Sequence, residues 1–251
     1  MSDTIREQII TAIEAKLAHI LTAKGYLTEC GANVKRVLKA LDQEELPAVV
    51  VFPKPEVTTR EYGNDANVMR VNIQALNVFD SNTENASEVA EQMLADLKEV
   101  MCGRRWSMAF KSGGTYEPQP GETITGATSA ATAYVESVTK SSGSWAAGTA
   151  IGTLYLRRLT GKFTFTAAAT PNPEVNENLN VPGHANCMTT AGAQTYIEPE
   201  TSTCAGLATD IRYTGGGPDE YPEAPDTTVG VGVEFEITYS TVAGNPFARP
   251  T

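Results

Sequence analysis

Side chains of the kinds that carry catalysis or hold metals are few in this chain and stand at unhelpful spacings. Its 251 residues include two histidines, His19 and His184. His184 lies three positions before Cys187, but a zinc site takes about four ligands, and the other cysteines show no paired spacing. His19 falls in a helix-like segment, where a solvated or structural role is usual. We therefore predict no metal site and no cofactor.

Motifs for nucleophiles and phosphate groups are also missing from the sequence. It contains no Gly-x-Ser-x-Gly element, which exposes a serine nucleophile at a strand-to-helix turn. Residues 215–218 read Gly-Gly-Gly-Pro but lack the Lys-Ser/Thr pair of a phosphate-binding loop, so a loop between two strands is the better interpretation. Spacing alone leaves open a triad assembled from distant positions. We predict that the protein is not an enzyme.

A run of carboxylates follows these glycines. Asp219, Glu220, Glu223 and Asp226 do not match the register of a calcium loop, and prolines interrupt them. A solvated acidic loop is therefore the default interpretation. We predict that a surface for a protein partner includes the acidic residues Asp219, Glu220 and Glu223 as one half.

Arg104, Arg105 and Trp106 form the one basic cluster beside an aromatic residue. Arginine and tryptophan are enriched at the energetic centres of protein interfaces, which favours a contact with a partner. Pairing of the arginines with the dipole of a preceding helix, with the tryptophan packed in the core, is an equal alternative. The three residues form the other half of the candidate partner interface.

Composition places the chain among ordinary globular proteins. Hydrophobic residues make up 41% of it and charged residues 20%. No run reaches the roughly 18 consecutive apolar residues that a membrane span requires. The first residues lack the basic start and apolar run of a secretory signal. We expect the protein to be assembled in a bacterial cytoplasm without a membrane partner.

The formal net charge of −11 limits the partners of the chain. An acidic protein releases few counterions from DNA, so tight DNA binding is not expected, although a surface past which DNA slides is compatible with the charge. Without a secretion signal, free thiols are the default for the four cysteines. Cys187 and Cys204 share one segment, and the sequence leaves open whether they pair.

The elements that must position these residues begin with a helix. Thr4 and Glu7 have capping-box spacing, in which a hydroxyl and a carboxylate satisfy free backbone amides. Gly25 is placed to end this helix in a left-handed conformation. A second helix is expected to start near Asn85 and to end at Gly103. The apolar stripe of the first helix comprises Ile5, Ile9, Ile13, Leu17 and Ile20.

Three segments carry strand patterns. Residues 48–52 form a short apolar run that Pro53 and Pro55 break. Residues 68–79 and 229–239 alternate between apolar and polar side chains, which is typical of half-buried strands. The two alternating segments are natural neighbours in a sheet. The predicted fold class is α+β, with an antiparallel or mixed sheet flanked by two helices.

The middle of the chain, residues 118–207, has a different composition. It is rich in glycine, alanine, serine and threonine, and its short β-prone runs are separated by turn residues. This pattern predicts a small all-β sandwich or barrel. The flanking segments, residues 1–117 and 208–251, form one scaffold only if the ends of the middle segment are close in space. That arrangement is typical of a domain inserted at an exposed loop.

The scaffold resembles the tail-terminator and minor tail proteins of long-tailed bacteriophages. The likeness rests on the order of its elements, on the opening residues 5–10 (IREQII), on Val78-Phe79-Asp80 at a strand end, and on the closing residues 237–247 (ITYSTVAGNPF). It covers a little under two thirds of the chain.

The inserted segment resembles a short β-module found in many phage and prophage structural proteins. Residues 121–156 carry this likeness through the Gly121-Glu122-Thr123 start, the Gly126-Ala127-Thr128 step and the turn at residues 144–148. The resemblance indicates a virion protein without indicating which part of the virion contains it.

These resemblances imply a structural role in the virion, at the junction of tail and neck. A tail terminator caps the tail tube as a homohexameric ring and docks to the head-side connector. The implied partners are further copies of the chain, the tail tube protein and neck proteins. DNA would pass through the lumen unbound, since an acidic wall repels phosphates. The inserted domain is expected to project outward as a decoration, because an inward module would block the channel.

Two alternatives remain beside the tail terminator. The first is a different ring protein of the neck or connector. The second is a surface-binding virion protein whose insert recognises a glycan, with Trp145, Tyr134 and Tyr155 as stacking candidates. The same three aromatic residues also suit the core of the insert.

Overall fold

The computed structural model describes residues 3–36, 43–78, 85–111, 114–169, 172–220 and 228–250. The chain forms two compact units. Unit 1 comprises Met1–Thr22, Tyr26–Gly103 and Pro199–Thr251, and unit 2 comprises Ala23–Gly25 and Arg104–Glu198. Each unit has its own hydrophobic core.

Strands make up most of the secondary structure of the described residues. The helices are α1 (Ile5–Leu17), α2 (Ala86–Cys102) and α3 (Pro199–Thr203). The strands are β1 (Val34–Arg36), β2 (Ala48–Glu61), β3 (Asn64–Val78), β4 (Arg105–Lys111), β5 (Thr123–Gly126), β6 (Thr132–Ser142), β7 (Ile151–Thr160), β8 (Phe165–Thr166), β9 (Val175–Asn176), β10 (Asn178–Val181), β11 (His184–Thr190), β12 (Thr195–Ile197), β13 (Asp210–Glu220) and β14 (Thr228–Val242). Single 3₁₀ turns lie at Thr22–Lys24, Cys30–Ala32 and Gln43–Glu45.

Helix α1 begins where the capping box predicts. The hydroxyl of Thr4 accepts a hydrogen bond from the backbone N–H of Glu7 at 3.1 Å, and the predicted apolar stripe is buried. The helix ends at Leu17, because the N–H groups of His19 and Ile20 bond to carbonyls three residues back. Gly25 has a positive φ of 74°, but it follows a 3₁₀ turn. Its predicted role as the end of the helix is therefore wrong.

Helix α2 starts at its predicted cap and carries a charged residue on its buried face. The side chain of Asn85 accepts a hydrogen bond from the N–H of Ser87 at 3.0 Å. Asp96 is fully buried within the apolar stripe. Its carboxylate accepts hydrogen bonds from the backbone N–H groups of Leu27 and Thr28 at 3.0 and 2.8 Å. These bonds fix α2 against the segment that follows α1.

Unit 1 is built on a five-stranded mixed sheet in the order β1-β2-β3-β14-β13. β3 and β14 pair antiparallel along their whole lengths, from Asn64 opposite Val242 to Val78 opposite Thr228. This confirms the predicted neighbours, while Phe79 and Asp80 lie outside the described residues.

Strand β2 does not end at its prolines. It continues to Glu61, with an irregularity in the pairing between Pro53 and Glu56. Because β1 pairs only with residues 49–51 of β2, both prolines lie on an edge of the sheet, where a missing N–H removes no hydrogen bond. The predicted end of the strand at these prolines is therefore wrong.

The helices of unit 1 cover one face of its sheet. Alternate residues of β3 and β14, such as Ile73 and Phe235, are buried in the core with the stripes of α1 and α2. The residues between them, such as Gln74 and Glu234, lie on the opposite face. We call that second face the open face. The predicted α+β class is confirmed, with α3 as a helix that the sequence pattern does not reveal.

Unit 2 is a closed barrel. Its strands follow the order β11-β10-β5-β6-β7-β4, and β11 then pairs with β4. All of these pairings are antiparallel. Strand β12 adds to β4 outside the closed ring. Of the predicted sandwich and barrel, the structure has the barrel, with Phe110, Leu154 and Met188 in its core.

The boundaries of the two units differ from those predicted. The sequence boundaries place β4 in the scaffold and α3 in the insert. In the structure β4 belongs to unit 2, because it pairs with β7, β11 and β12. Helix α3 belongs to unit 1, where the hydroxyl of Thr203 bonds to the carbonyl of Met101 at 3.0 Å. In the described part of the chain, no helix combines the length and apolar character that a membrane crossing needs.

Two deletions would test these boundaries. Since Thr203 contacts the end of α2, we expect a chain lacking residues 104–198, closed by a short glycine-serine linker, to keep the helical circular dichroism of unit 1 and to unfold cooperatively in urea. A chain lacking residues 118–207 keeps β4 but lacks the strands that pair with it. We expect this chain to lose cooperative unfolding. Folding of the second chain but not the first would contradict the observed boundaries.

Candidate functional site

The open face of unit 1 carries a ladder of ion pairs across three strands. Arg212 on β13 reaches Glu236 on β14 at 2.5 Å. From β3, Arg70 approaches Glu236 at 3.8 Å and Glu234 at 4.0 Å. Exposed pairs of this kind stabilise a protein by about 0.2–1 kcal/mol each. The ladder therefore contributes little to folding and leaves a polar surface with balanced charges.

A groove of about 330 Å³ lies on β3, β14 and β13, and we call it the glycine groove. Gly215, Gly216 and Gly232 contribute backbone to its lining, and Thr214, Gln74 and Glu234 are among its other residues. A methyl group added at Gly215 would meet no atom within 4 Å. The side-chain oxygen of Asn72 in this groove is buried and accepts no hydrogen bond from the described residues. The groove thus combines unfilled space with a hydrogen-bond acceptor that has no donor among the described residues.

The turn between β2 and β3 presents an aromatic ring to solvent. Tyr62 and Gly63 have φ angles of 46° and 89°, which is the two-residue turn with positive φ at both positions that joins tight hairpins. Asparagine usually occupies the first position, and a left-handed conformation costs other residues about 1–2 kcal/mol. Tyr62 is fully exposed. Neither the turn nor the core therefore explains a tyrosine at this hairpin tip.

A polar cleft of about 270 Å³ lies beside the start of α1. The phenol of Tyr239 donates a hydrogen bond to Glu56, and the guanidinium of Arg6 lies 3.4 Å from the same carboxylate. Burial and the adjacent Glu56 raise the pKa of Tyr239 well above its ordinary value. The phenol therefore stays protonated at neutral pH and is a poor nucleophile.

The basic half of the predicted partner interface is divided by the structure. Arg104 is exposed. Arg105 is only 2% exposed and forms an ion pair with Glu136 at 2.7 Å. Its prediction as an interface residue is therefore wrong, because a buried and paired guanidinium presents no surface. Trp106 is partly buried and meets Tyr196 edge to face, with ring centres 6.0 Å apart.

The acidic half lies on a strand and not on a loop. Residues 215–218 belong to β13, and the predicted loop is therefore wrong; shifts in register beside Gly215 and Pro218 accommodate the glycines. Asp219 and Glu220 continue this strand, and their side chains are not described. Glu223 and Asp226 lie outside the described residues. The two halves of the predicted interface belong to different units.

The histidine and cysteine candidates do not converge. His184 is exposed and stacks on Tyr116 with ring centres 3.7 Å apart. All four cysteines, including Cys187 and Cys204, are free thiols. Burial raises the pKa of Cys204 to about 12, so this thiol is protonated at neutral pH and a poor nucleophile. Among the described residues, no group of three or more metal-binding side chains is found.

Two buried carboxylates, which the sequence analysis did not select, are structural. Glu177 in unit 2 is 2% exposed and accepts hydrogen bonds from the backbone of Thr128, Ser129 and Thr164. Burial alone would raise its pKa, but these bonds outweigh burial and lower it. Desolvation dominates at Asp96 and raises its pKa. The position of Asp96 within the apolar stripe of α2 is a sequence signal for a buried carboxylate. The sequence around Glu177 carries no such signal.

No family model matches the chain, and no curated protein matches it. A functional proposal therefore rests on the residues and the geometry of this chain.

Replacement of Glu177 by glutamine would test the structural role of the carboxylate. Glu177→Gln loses charged hydrogen bonds worth about 1.5–3 kcal/mol each, and we expect unit 2 to unfold at lower urea concentration. Because the pKa is lowered in the folded state, the stabilisation is present above the ordinary value of 4.5 and is lost as pH falls through the folded pKa. The Glu177→Gln variant should lack this part of the acid sensitivity.

Both tryptophans, Trp106 and Trp145, lie in unit 2, so their fluorescence follows its unfolding. Glu174→Gln is the matched control, since Glu174 is three residues away and forms an exposed pair with Lys111. Its effect should stay within about 0.5 kcal/mol. Equal effects of the two substitutions would contradict the role assigned to Glu177.

Proposed function

We propose that this chain is a structural protein of a long-tailed bacteriophage virion, in which copies form a ring that ends the tail tube and meets the head-side connector. The observation that supports this most directly is the one-sided sheet of unit 1. Helices cover one face, while the other face is open and polar and the hairpin at the end of the sheet carries an exposed Tyr62. The resemblance of the scaffold to tail-terminator proteins points the same way.

A ring subunit needs two different surfaces that fit each other, because head-to-tail contacts close into cyclic symmetry. Unit 1 carries two surfaces of different shape. The hairpin tip is convex and the glycine groove is concave. A protein that works as a monomer gains nothing from a strained and fully exposed tyrosine. The geometry is therefore suited to assembly.

The charge of the chain fits a channel wall. A net charge of −11 makes close approach of DNA phosphates unfavourable. On the open face the ion-pair ladder joins Arg70 and Arg212 to glutamates, so these two arginines already have carboxylate partners. DNA in this proposal passes through the ring without specific binding.

Two of the three stacking candidates of the glycan-binding alternative pack against other side chains. Trp145 stacks on Phe110 in the core of unit 2, with ring centres 5.3 Å apart and an interplanar angle of 13°. Tyr134 lies beneath the guanidinium groups of Arg157 and Arg158, at 5.1 and 5.3 Å. Neither ring offers a free stacking face of the kind that sugar recognition uses. A different ring protein of the neck remains the nearest alternative.

Native mass measurement would test the proposal. We expect the purified chain, alone or mixed with tail tube protein, to form a closed oligomer whose mass corresponds to six copies. At physiological salt it should show no measurable retention of duplex DNA. A chain that stays monomeric under both conditions contradicts the proposal. Oligomers that ignore tube protein but bind a head-side connector would favour the neck alternative.

A further inference from the structure

We infer that Tyr62, at the hairpin tip of one copy, inserts into the glycine groove on the open face of a second copy. This inference rests on the proposed function, since it names the contact that joins neighbouring subunits of the ring. It follows from three features of unit 1: the exposed ring at the tip, the hollow formed by glycines, and the unused acceptor of Asn72.

The groove has room for an aromatic side chain. Its volume of about 330 Å³ lies at the lower end of the range of about 300–1,000 Å³ in which proteins hold small molecules. Glycine inside a strand often marks a place where another group approaches the backbone closely. Aromatic rings are the side chains that pack over glycines of a sheet. Within the described residues no such ring covers Gly215, because a Cβ there would meet nothing.

The polar groups also fit. The side-chain oxygen of Asn72 is buried and unpartnered within the described residues, and a buried acceptor without a donor is unfavourable by about 1–3 kcal/mol. The phenol of Tyr62 is a donor at the end of a fully exposed side chain. A hydrogen bond from Tyr62 to Asn72, reached by a rotation of the Asn72 side chain, would satisfy this acceptor and would fix the depth of insertion.

The tip carries mixed charges, because the acids Glu61 and Asp65 lie close to Arg60 in the hairpin. Arg60 lies two residues before Tyr62, and its side chain is 67% exposed. It already pairs with Asp65 at 2.9 Å, but a guanidinium has five N–H donors and can bind a second carboxylate. Glu234 lines the groove. Glu234 therefore offers Arg60 a second carboxylate when the tip is docked.

The contact must join different copies. Asn64 at the tip end of β3 and Asn72 in the groove are eight residues apart on one strand, which separates them by about 26 Å at the rise of a strand. β3 is paired on both sides, to β2 and to β14, so the tip cannot fold back onto its own groove. In the proposed ring this contact is head to tail, so it leaves a free tip and a free groove at the ends until the ring closes.

Single substitutions test each side of the contact. Tyr62→Ala removes the ring, and Gly215→Val fills the groove at a position where an added Cβ meets no atom within 4 Å. We expect each to weaken self-association, measured by analytical ultracentrifugation, by about tenfold or more, as loss of an interface centre does. Tyr62→Phe keeps the ring and loses only the donor, so a smaller loss of about fivefold is expected.

Matched controls separate the contact from general effects. Phe247→Ala removes another exposed aromatic ring of unit 1, which is 53% exposed, and Thr238→Val adds a valine to the open face outside the groove. Both controls should associate like the wild-type chain. Circular dichroism and urea unfolding should show that all variants fold.

Mixing gives the decisive result, because each variant keeps the surface that the other lacks. Tyr62→Ala has an intact groove and Gly215→Val has an intact tip, so an equimolar mixture should form a dimer of one copy of each and nothing larger. If the wild-type chain forms rings and both variants associate as strongly as it does, this inference is overturned and the proposed function is unaffected. A wild-type chain that stays monomeric, also with tube protein, would overturn both. A mixture that remains monomeric while the wild type forms rings would overturn the tip-to-groove contact.

Discussion

The antiparallel pairing of β3 with β14 is the constraint on which the rest of the structure depends. The two strands pair over their full lengths, yet about 150 residues separate them in the chain. The chain between them must therefore leave the sheet and return to it, and it returns at β13, which pairs with β14. The hydroxyl of Thr203 in α3 bonds to the end of α2 at 3.0 Å. This bond keeps together the two points between which the chain forms unit 2. A closed barrel suits this intervening segment because closure leaves no strand edge with unpaired backbone groups in its ring of strands.

The same pairing decides what each face of the sheet becomes. Alternation along β14 sends Val233 and Phe235 toward the helices and Glu234 to the open face. Because helices occupy only one side, the open face carries polar side chains and glycines. Gly216 allows close approach of β13 to β14, because a Cβ there would clash with a backbone carbonyl of β14, whereas Gly215 has space where a side chain would stand. A surface shaped in this way is understandable in an assembly subunit, where a neighbour supplies the missing contact.

Charged groups inside the two units act as anchors. Asp96 ties α2 to the backbone after α1, Glu177 gathers amides from two segments of the barrel, and Arg105 pairs with Glu136. A buried charge is tolerated only when fixed donors or an opposite charge replace water. These buried charged groups therefore stabilise contacts between residues that are distant in the chain. Their role is structural, although their residue types are also common in catalytic and binding sites.

The sequence by itself determined the caps at Thr4 and Asn85, the stripe of α1, the alternation of β3 and β14, and the all-β character of the middle segment. Each of these depends on periodicity or capping within a few neighbouring residues. Only the tertiary structure decided that Arg105 is buried, that the glycines at 215–217 lie in a strand, that β4 closes the barrel, and that Tyr62 stands alone at a hairpin tip. Burial and pairing depend on groups far away in the chain, such as Glu136 for Arg105 and β11 for β4, and no local pattern contains that information.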